Sequence, residues 1–163
     1  MTKTARSIDV PYDRAARLSV VHRGELDPAA ACRALETPNW LGTPVDNQGS
    51  GRQRFLTDLA LPLTQGSRTL VFRKAAYVDV GSVIAGASGC EVEIDWSSAS
   101  LAPLFPVFAG LLNVSSSGLA LNGVYAPPLG GVGLLIDAAL LRFVAHRTAH
   151  WFLKQLAAEL TSL

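Results

Sequence analysis

The chain has 163 residues, of which 49% are hydrophobic and 17% charged, and its formal net charge at pH 7 is +1. This length and composition indicate one folded domain over residues 1–163 and exclude an intrinsically disordered protein. The lysines and arginines are scattered along the sequence, which excludes the charge pattern of a nucleic-acid-binding protein. The apolar surplus predicts a large core, an apolar ligand cavity or an apolar interface.

Cysteine usage and the N-terminal residues bear on the cellular compartment. Cys32 and Cys90 are the only cysteines, too few for a disulfide framework or a zinc motif, so we expect two buried small hydrophobes and a reducing compartment. Residues 1–10 lack the apolar run of a secretory signal, and no segment offers about 20 uninterrupted apolar residues. The sequence therefore predicts a cytoplasmic protein without a transmembrane segment.

The first predicted elements are a strand at residues 17–23 and a short helix. Asp27 is a suitable N-cap, and Pro28 fits the first helical position. Good helix formers then continue to Leu35. Residues 44–51 are rich in Gly, Asn and Asp, which predicts an exposed loop.

A run of antiparallel strands follows. Alternating apolar residues predict an adjacent pair at residues 52–61 and 68–80, separated by a break at residues 62–66. The clearest alternation in the chain predicts another strand at residues 90–96. It places Glu91, Glu93 and Asp95 on a solvent face, where we expect pairing with Arg73 or Arg54 of neighbouring strands.

Two more strands, at residues 107–114 and 119–125, flank a serine-rich hairpin. They bring the predicted total to about six strands. Residues 131–163 then predict a long C-terminal helix, because no Gly or Pro interrupts them after Gly133.

The predicted helix has two distinguishing patterns. Its apolar arc exceeds the stripe of about 100° typical of a helix buried on one side, so its first half is expected to face both the core and a cavity. A polar line at i, i+4 spacing is expected to be exposed: Arg142, His146, His150 and Lys154. A metal site at the two histidines is disfavoured, because no third ligand and no His-Glu-x-x-His pattern accompany them.

This order of elements predicts an α+β fold, a strongly bent antiparallel sheet of six to seven strands wrapped around the long helix. The strand at residues 119–125, running into Ala126-Pro-Pro-Leu-Gly-Gly-Val-Gly133 and a helix with Asp137 near its start, resembles the helix-grip fold of the START-like, SRPBCC or polyketide-cyclase-like superfamily. The resemblance implies a hydrophobic cavity between sheet and helix, in proteins that bind, cyclise or dehydrate lipids, sterols or polyketides.

The leading functional hypothesis is the binding of a hydrophobic small molecule, such as a lipid, polyketide or aromatic metabolite, in that cavity without a cofactor or metal. Aromatic and aliphatic residues of the predicted strands and helix are expected to form its wall. They are Phe72, Phe108, Leu121, Tyr125, Leu135, Ala139 and Phe143.

Two alternatives remain open. An enzyme of the cyclase or dehydratase kind would need Arg73, Tyr77 or Asp79 to face inward for acid/base chemistry. The sequence contains no Gly-x-Ser-x-Gly motif, so it shows no nucleophile for hydrolysis. An interaction protein would instead use its apolar surplus as the interface of a homodimer.

Overall fold

A computed structural model describes residues 15–45, 51–99, 105–127 and 138–162. These residues form an antiparallel sheet of seven strands and two helices. The strands are β1 (Ala16–Arg23), β2 (Thr43–Val45), β3 (Gln53–Gln65), β4 (Arg68–Ala85), β5 (Gly89–Ser98), β6 (Val107–Ser115) and β7 (Gly118–Ala126). The helices are α1 (Pro28–Glu36), between β1 and β2, and α2 (Ala138–Ser162), after β7.

The sheet is open, with strand order β1-β7-β6-β5-β4-β3-β2, and all neighbouring strands are antiparallel. Helix α2 packs on β1, β3 and β7, so it lies across the sheet and touches strands near both edges. The predicted α+β fold class is thus confirmed. The sheet with its C-terminal helix is compatible with a helix-grip fold.

Helix α1 begins as its sequence predicts. The carboxylate of Asp27 accepts hydrogen bonds from the backbone N–H groups of Ala29 and Ala30, and Pro28 occupies the first turn, where it has no N–H to leave unpaired. The buried side of α1 carries Ala31 and Leu35, which join the core under the sheet.

The two cysteines are bonded to each other, contrary to the expectation that they are separate thiols. Cys32 on α1 forms a disulfide with Cys90 on β5, 58 residues later in the sequence. The bond fixes the short helix to the middle of the sheet. Disulfides persist in oxidising compartments, so this bond argues against the predicted cytoplasmic location.

The hairpin of β3 and β4 is longer than predicted. Strand β3 passes through Pro62 and reaches Gln65, where Gly66 turns the chain at a φ of +61°. The expected break is therefore wrong at residues 62–65, and the turn begins at Gly66, the last residue of the predicted break. Pro62 is tolerated because β2 pairs with β3 only at residues 54–56, so the missing N–H of Pro62 faces no neighbouring strand.

Strand β4 also continues past its predicted end at Gly81, through a register shift between Val80 and Val83. Strand β5 pairs with β4 only from Ala76 onwards. Residues 58–75 therefore form a two-stranded extension, called the ribbon below, whose outer edges pair with no described strand. The predicted loop at residues 44–51 begins with the short edge strand β2, and residues 46–50 lie outside the described residues.

The predicted C-terminal helix is confirmed over Ala138–Ser162, and residues 131–137 lie outside the described part of the chain. Its inner side packs on the sheet around three aromatic rings. The Trp96 ring stacks on Phe108 with a centroid distance of 4.3 Å and lies 5.6 Å from the Phe152 ring. All three side chains are almost fully buried, so side chains fill the layer between sheet and helix at this point.

Candidate functional site

A groove of about 1180 Å³ runs along the outer side of α2, away from the aromatic core. Helix α2 forms its floor, Ser19 and Val21 of β1 form one wall, and Pro62 of the ribbon forms the other. The residues that line it are Ser19, Val20, Val21, Pro62, Ala138, Ala139, Arg142, Phe143, His146, Arg147, His150, Trp151, Lys154 and Gln155.

The floor of the groove consists of two parallel lines of side chains, each at i, i+4 spacing on α2. Such residues lie one above the other on a helix surface. One line is the predicted polar line, which is largely exposed as expected: Arg142, His146, His150 and Lys154. The other was not singled out in the sequence: Phe143, Arg147, Trp151 and Gln155.

The groove is positively charged. Five basic side chains line it, and none of its described lining residues is an Asp or a Glu. Among the residues that the structure describes, none of these five is paired with a carboxylate. Burial, and next the charge of Arg142, lower the pKa of the His146 imidazole below its ordinary value of 6.5. Arg142, Arg147 and Lys154 supply fixed positive charges, and an anionic group complements them.

Apolar surface adjoins these charges. Phe143 is 42% exposed and Val21 53% exposed, whereas Trp151 is half-buried between the groove and the core. The Arg147 guanidinium carbon lies 5.3 Å from the centre of the Phe143 ring, within the range of a cation–π contact. This contact holds a cation and an aromatic ring side by side in the groove.

The predicted ligand wall is divided among three regions. Ala139 and Phe143 line the groove. Phe108, Leu121 and Tyr125 are buried in the core of β6 and β7, where Phe108 lies opposite Tyr125.

The other two predicted wall residues lie elsewhere in the chain. Phe72 is 57% exposed on the ribbon and does not line the groove. Leu135 lies outside the described residues.

The catalytic candidates lie outside the groove. Tyr77 and Asp79 alternate with Val78, which is buried in the core layer, so they lie on the opposite face of the sheet. Arg54 donates two hydrogen bonds to Asp79, of 2.6 Å from Nε and 2.7 Å from Nη2, and its guanidinium lies 5.4 Å from the Tyr77 ring centre. Arg73 is exposed and lines a second cleft of about 370 Å³.

A charged cluster covers the same outer face at the level of Asp79. Asp95 lies opposite Asp79 on the neighbouring strand and is only 3% exposed, contrary to the predicted solvent position. Arg52 contacts the carboxylates of both Asp95 and Glu93. Burial raises the pKa of the Asp95 carboxyl, and Arg52 opposes that rise. Glu93 and Asp95 of β5 thus do pair with an arginine, but with Arg52 instead of Arg73 or Arg54.

Two further observations limit the assignment. In the described part of the chain, no group of three or more His, Cys, Asp or Glu side chains is arranged to hold a metal ion. Neither described helix is both long enough and apolar enough to cross a membrane. In comparisons with known proteins, the sequence matches no family model and no curated protein.

Proposed function

We propose that this protein binds a hydrophobic small molecule that carries an anionic group, in the groove between β1, α2 and the ribbon. The observation that carries the proposal is the juxtaposition of five basic side chains and exposed apolar side chains in one cleft, with no Asp or Glu among its described lining residues. Its volume of about 1180 Å³ is large enough for an acyl chain or a fused-ring molecule. Membership of the START-like superfamily, whose helix-grip fold is compatible with this architecture, is part of the proposal.

The chemistry of the groove determines how such a ligand lies. Its anionic group pairs with Arg142, Arg147 or Lys154, and an arginine offers a carboxylate two parallel hydrogen bonds. Its apolar part covers Phe143 and Val21 and leaves water. Because Phe143 already holds the Arg147 guanidinium beside its ring, less side-chain freedom is lost when the ligand binds.

Isothermal titration of the full chain with dodecanoate and with dodecan-1-ol tests this proposal. The two probes share an alkyl chain and differ in charge, so we expect the carboxylate to bind more tightly. Losing one charge-assisted hydrogen bond costs on the order of 1.5–3 kcal/mol, so Arg147→Gln should weaken dodecanoate binding about tenfold or more. Arg33→Gln, on α1 and outside the groove lining, is the matched control and should leave the affinity unchanged.

A second pair of variants tests the apolar half of the site. Val21→Asp puts a negative charge into an exposed position of the groove wall and should abolish dodecanoate binding, whereas Ile84→Asp, at an equally exposed position of β4, should not. Equal affinity for the acid and the alcohol, or binding that survives both Val21→Asp and Arg147→Gln, would exclude this groove as the site.

The proposal does not extend to a reaction. Tyr77 and Asp79 are held by Arg54 on the face of the sheet that α2 does not cover, so neither reaches a ligand in the groove. Dodecanoate should therefore be recovered unchanged after incubation with the protein.

A further inference from the structure

The ribbon carries a group of large apolar side chains in solvent. Leu70, Val71 and Phe72 are consecutive and are 62%, 49% and 57% exposed. Scattered exposed hydrophobic residues are common, but large exposed side chains that share one face, as Leu70 and Phe72 do, indicate an interaction surface. The group belongs to a two-stranded segment that pairs with no other described strand.

The strand register shows how these side chains are arranged. Leu61 lies opposite Phe72, and Leu63 lies opposite Leu70. Because directly opposed residues share a face and faces alternate along a strand, these four form one apolar patch. Arg68 and Lys74 fall on the same face by the same alternation, one at each end of the patch.

The charge of the segment identifies the occupant of this surface. The ribbon contains Arg68, Arg73 and Lys74 and one acidic residue, Asp58, which the alternation of the strand places on the other face from Arg68 and Lys74. A twofold contact between the patch-bearing faces of two copies would bring Arg68 and Lys74 together without a counter-charge on that face, which disfavours a second copy. An anionic lipid surface supplies both counter-charge for Arg68 and Lys74 and an apolar layer for the patch.

We propose that the ribbon docks this protein on an anionic lipid surface. The face with Leu61, Leu63, Leu70 and Phe72 enters the boundary between headgroups and acyl chains, and Arg68 and Lys74 contact lipid phosphates on either side. The inference rests on the ribbon and holds whether or not the groove binds a ligand.

Vesicle flotation with the full chain tests the docking. Vesicles of phosphatidylcholine alone should bind weakly, and binding should rise with the added fraction of phosphatidylglycerol and fall with salt, because screening weakens the attraction between surface charges. The double variant Leu70→Ser with Phe72→Ser should lose at least about tenfold in apparent affinity, since both side chains would no longer enter the acyl region. Arg68→Gln should lose about fivefold on anionic vesicles and nothing on neutral ones.

Matched controls are available on the same protein. Ile84 is 61% exposed at the other end of β4, so Ile84→Ser removes one apolar side chain of similar fractional exposure away from the ribbon and should leave vesicle binding unchanged. Arg23→Gln, at the end of β1, controls for the loss of one exposed positive charge. All substituted side chains are exposed, so far-ultraviolet circular dichroism should show unchanged folding.

Two results would overturn the proposal. The first is an absence of binding to any anionic vesicle, or binding that Ile84→Ser weakens as much as the double ribbon variant does. The second is concentration-dependent dimerisation in sedimentation velocity that the double ribbon variant abolishes, without vesicle binding, which would identify a second copy as the occupant. Dodecanoate titration of the double ribbon variant separates the two proposals, because its groove is intact.

Discussion

The two sides of α2 differ in what their aromatic residues contact. Phe152, on the inner side, is 3% exposed and packs beside Trp96, whereas Phe143, on the outer side, is 42% exposed and lies beside Arg147 in the groove. Both residues contribute to the broad apolar arc that the sequence shows. Such an arc therefore does not mean burial on every side: part of it builds the core and part is exposed in the groove.

The largest expected effect is the difference in stability between alanine substitutions of these two phenylalanines. Phe152→Ala leaves a cavity among packed rings, and we expect it to lower the free energy of unfolding by about 3–5 kcal/mol. Phe143→Ala removes only a partly exposed ring and its cation–π contact, so the expected loss is below about 1 kcal/mol. Urea denaturation followed by circular dichroism measures both.

The same two substitutions should affect ligand binding in the opposite order. Dodecanoate affinity should fall in Phe143→Ala and remain unchanged in Phe152→Ala, measured at a temperature where both variants are folded. If Phe152→Ala weakened binding more than Phe143→Ala, the ligand would lie on the inner side of α2 and the comparison between the two sides would fail.

Removal of the disulfide should give the next largest loss of stability. The bond lies in the core, on the inner side of the sheet and away from the groove. Closing a loop between residues 58 positions apart restricts the unfolded chain by about 4 kcal/mol on the chain-entropy account. The double variant Cys32→Ala with Cys90→Ala should therefore unfold at much lower urea concentration, with dodecanoate affinity unchanged while it is folded. A stability loss below about 1 kcal/mol would mean that the cysteines are not bonded in the protein.

Local patterns accounted for most of the fold. The alternation of Cys90, Val92, Ile94 and Trp96 predicted β5, and Asp27 predicted the start of α1, because both features depend on neighbours in the sequence. The path of β3 through Pro62 depends instead on the absence of a neighbouring strand at that edge. The disulfide depends on the packing of α1 against β5, which no local pattern contains.

The site was predicted less well, for a related reason. The expected wall included Phe108, Leu121 and Tyr125, which are buried in the structure. The sequence does not tell whether the space before these side chains is empty or filled by Phe152 and other side chains. The basic line on α2 was visible in the sequence and was interpreted as solvated. It becomes the floor of a groove only because β1 and the ribbon flank the helix, which is a feature of the tertiary structure.

The charged cluster on the outer face of the sheet provides a pH test. Because the pKa of Asp95 is raised in the folded protein, the folded state keeps a proton to higher pH than the unfolded state, whose carboxyl titrates near 3.8. The contribution of Asp95 to stability is therefore most favourable below that value and is lost as the pH rises through the raised pKa. Asn cannot titrate, so Asp95 should gain stability relative to Asp95→Asn as the pH is lowered from neutral towards 3.8.

Urea denaturation of both proteins across that pH range measures this difference, and Asp58→Asn at an exposed position of β3 controls for general charge effects. A loss of wild-type stability relative to Asp95→Asn as the pH falls would show that Arg52, instead of burial, governs the carboxyl. The groove lies on another part of the molecule, so dodecanoate affinity in Asp95→Asn should equal that of the wild type.

The smallest expected change in stability tests whether a polar group or water occupies the layer between the sheet and α2. Thr148 lies on the inner side of α2 and is fully buried, and its hydroxyl has no hydrogen-bond partner among the described residues. The buried indole N–H of Trp96 likewise has no partner among them. Burying an unpaired hydroxyl costs about 1–3 kcal/mol, and valine has nearly the same shape without it. Thr148→Val should therefore raise the free energy of unfolding by about 1 kcal/mol.

The sign of that change distinguishes the two sides of α2 as ligand sites. A gain in stability means that nothing polar occupies the inner layer beside Thr148, so the anionic ligand has only the outer groove. A loss in stability means that the hydroxyl has a partner there, in bound water or in the polar group of a molecule held between sheet and helix. Dodecanoate titration of Thr148→Val decides between those partners, because only a ligand in the inner layer would make its affinity fall together with the stability.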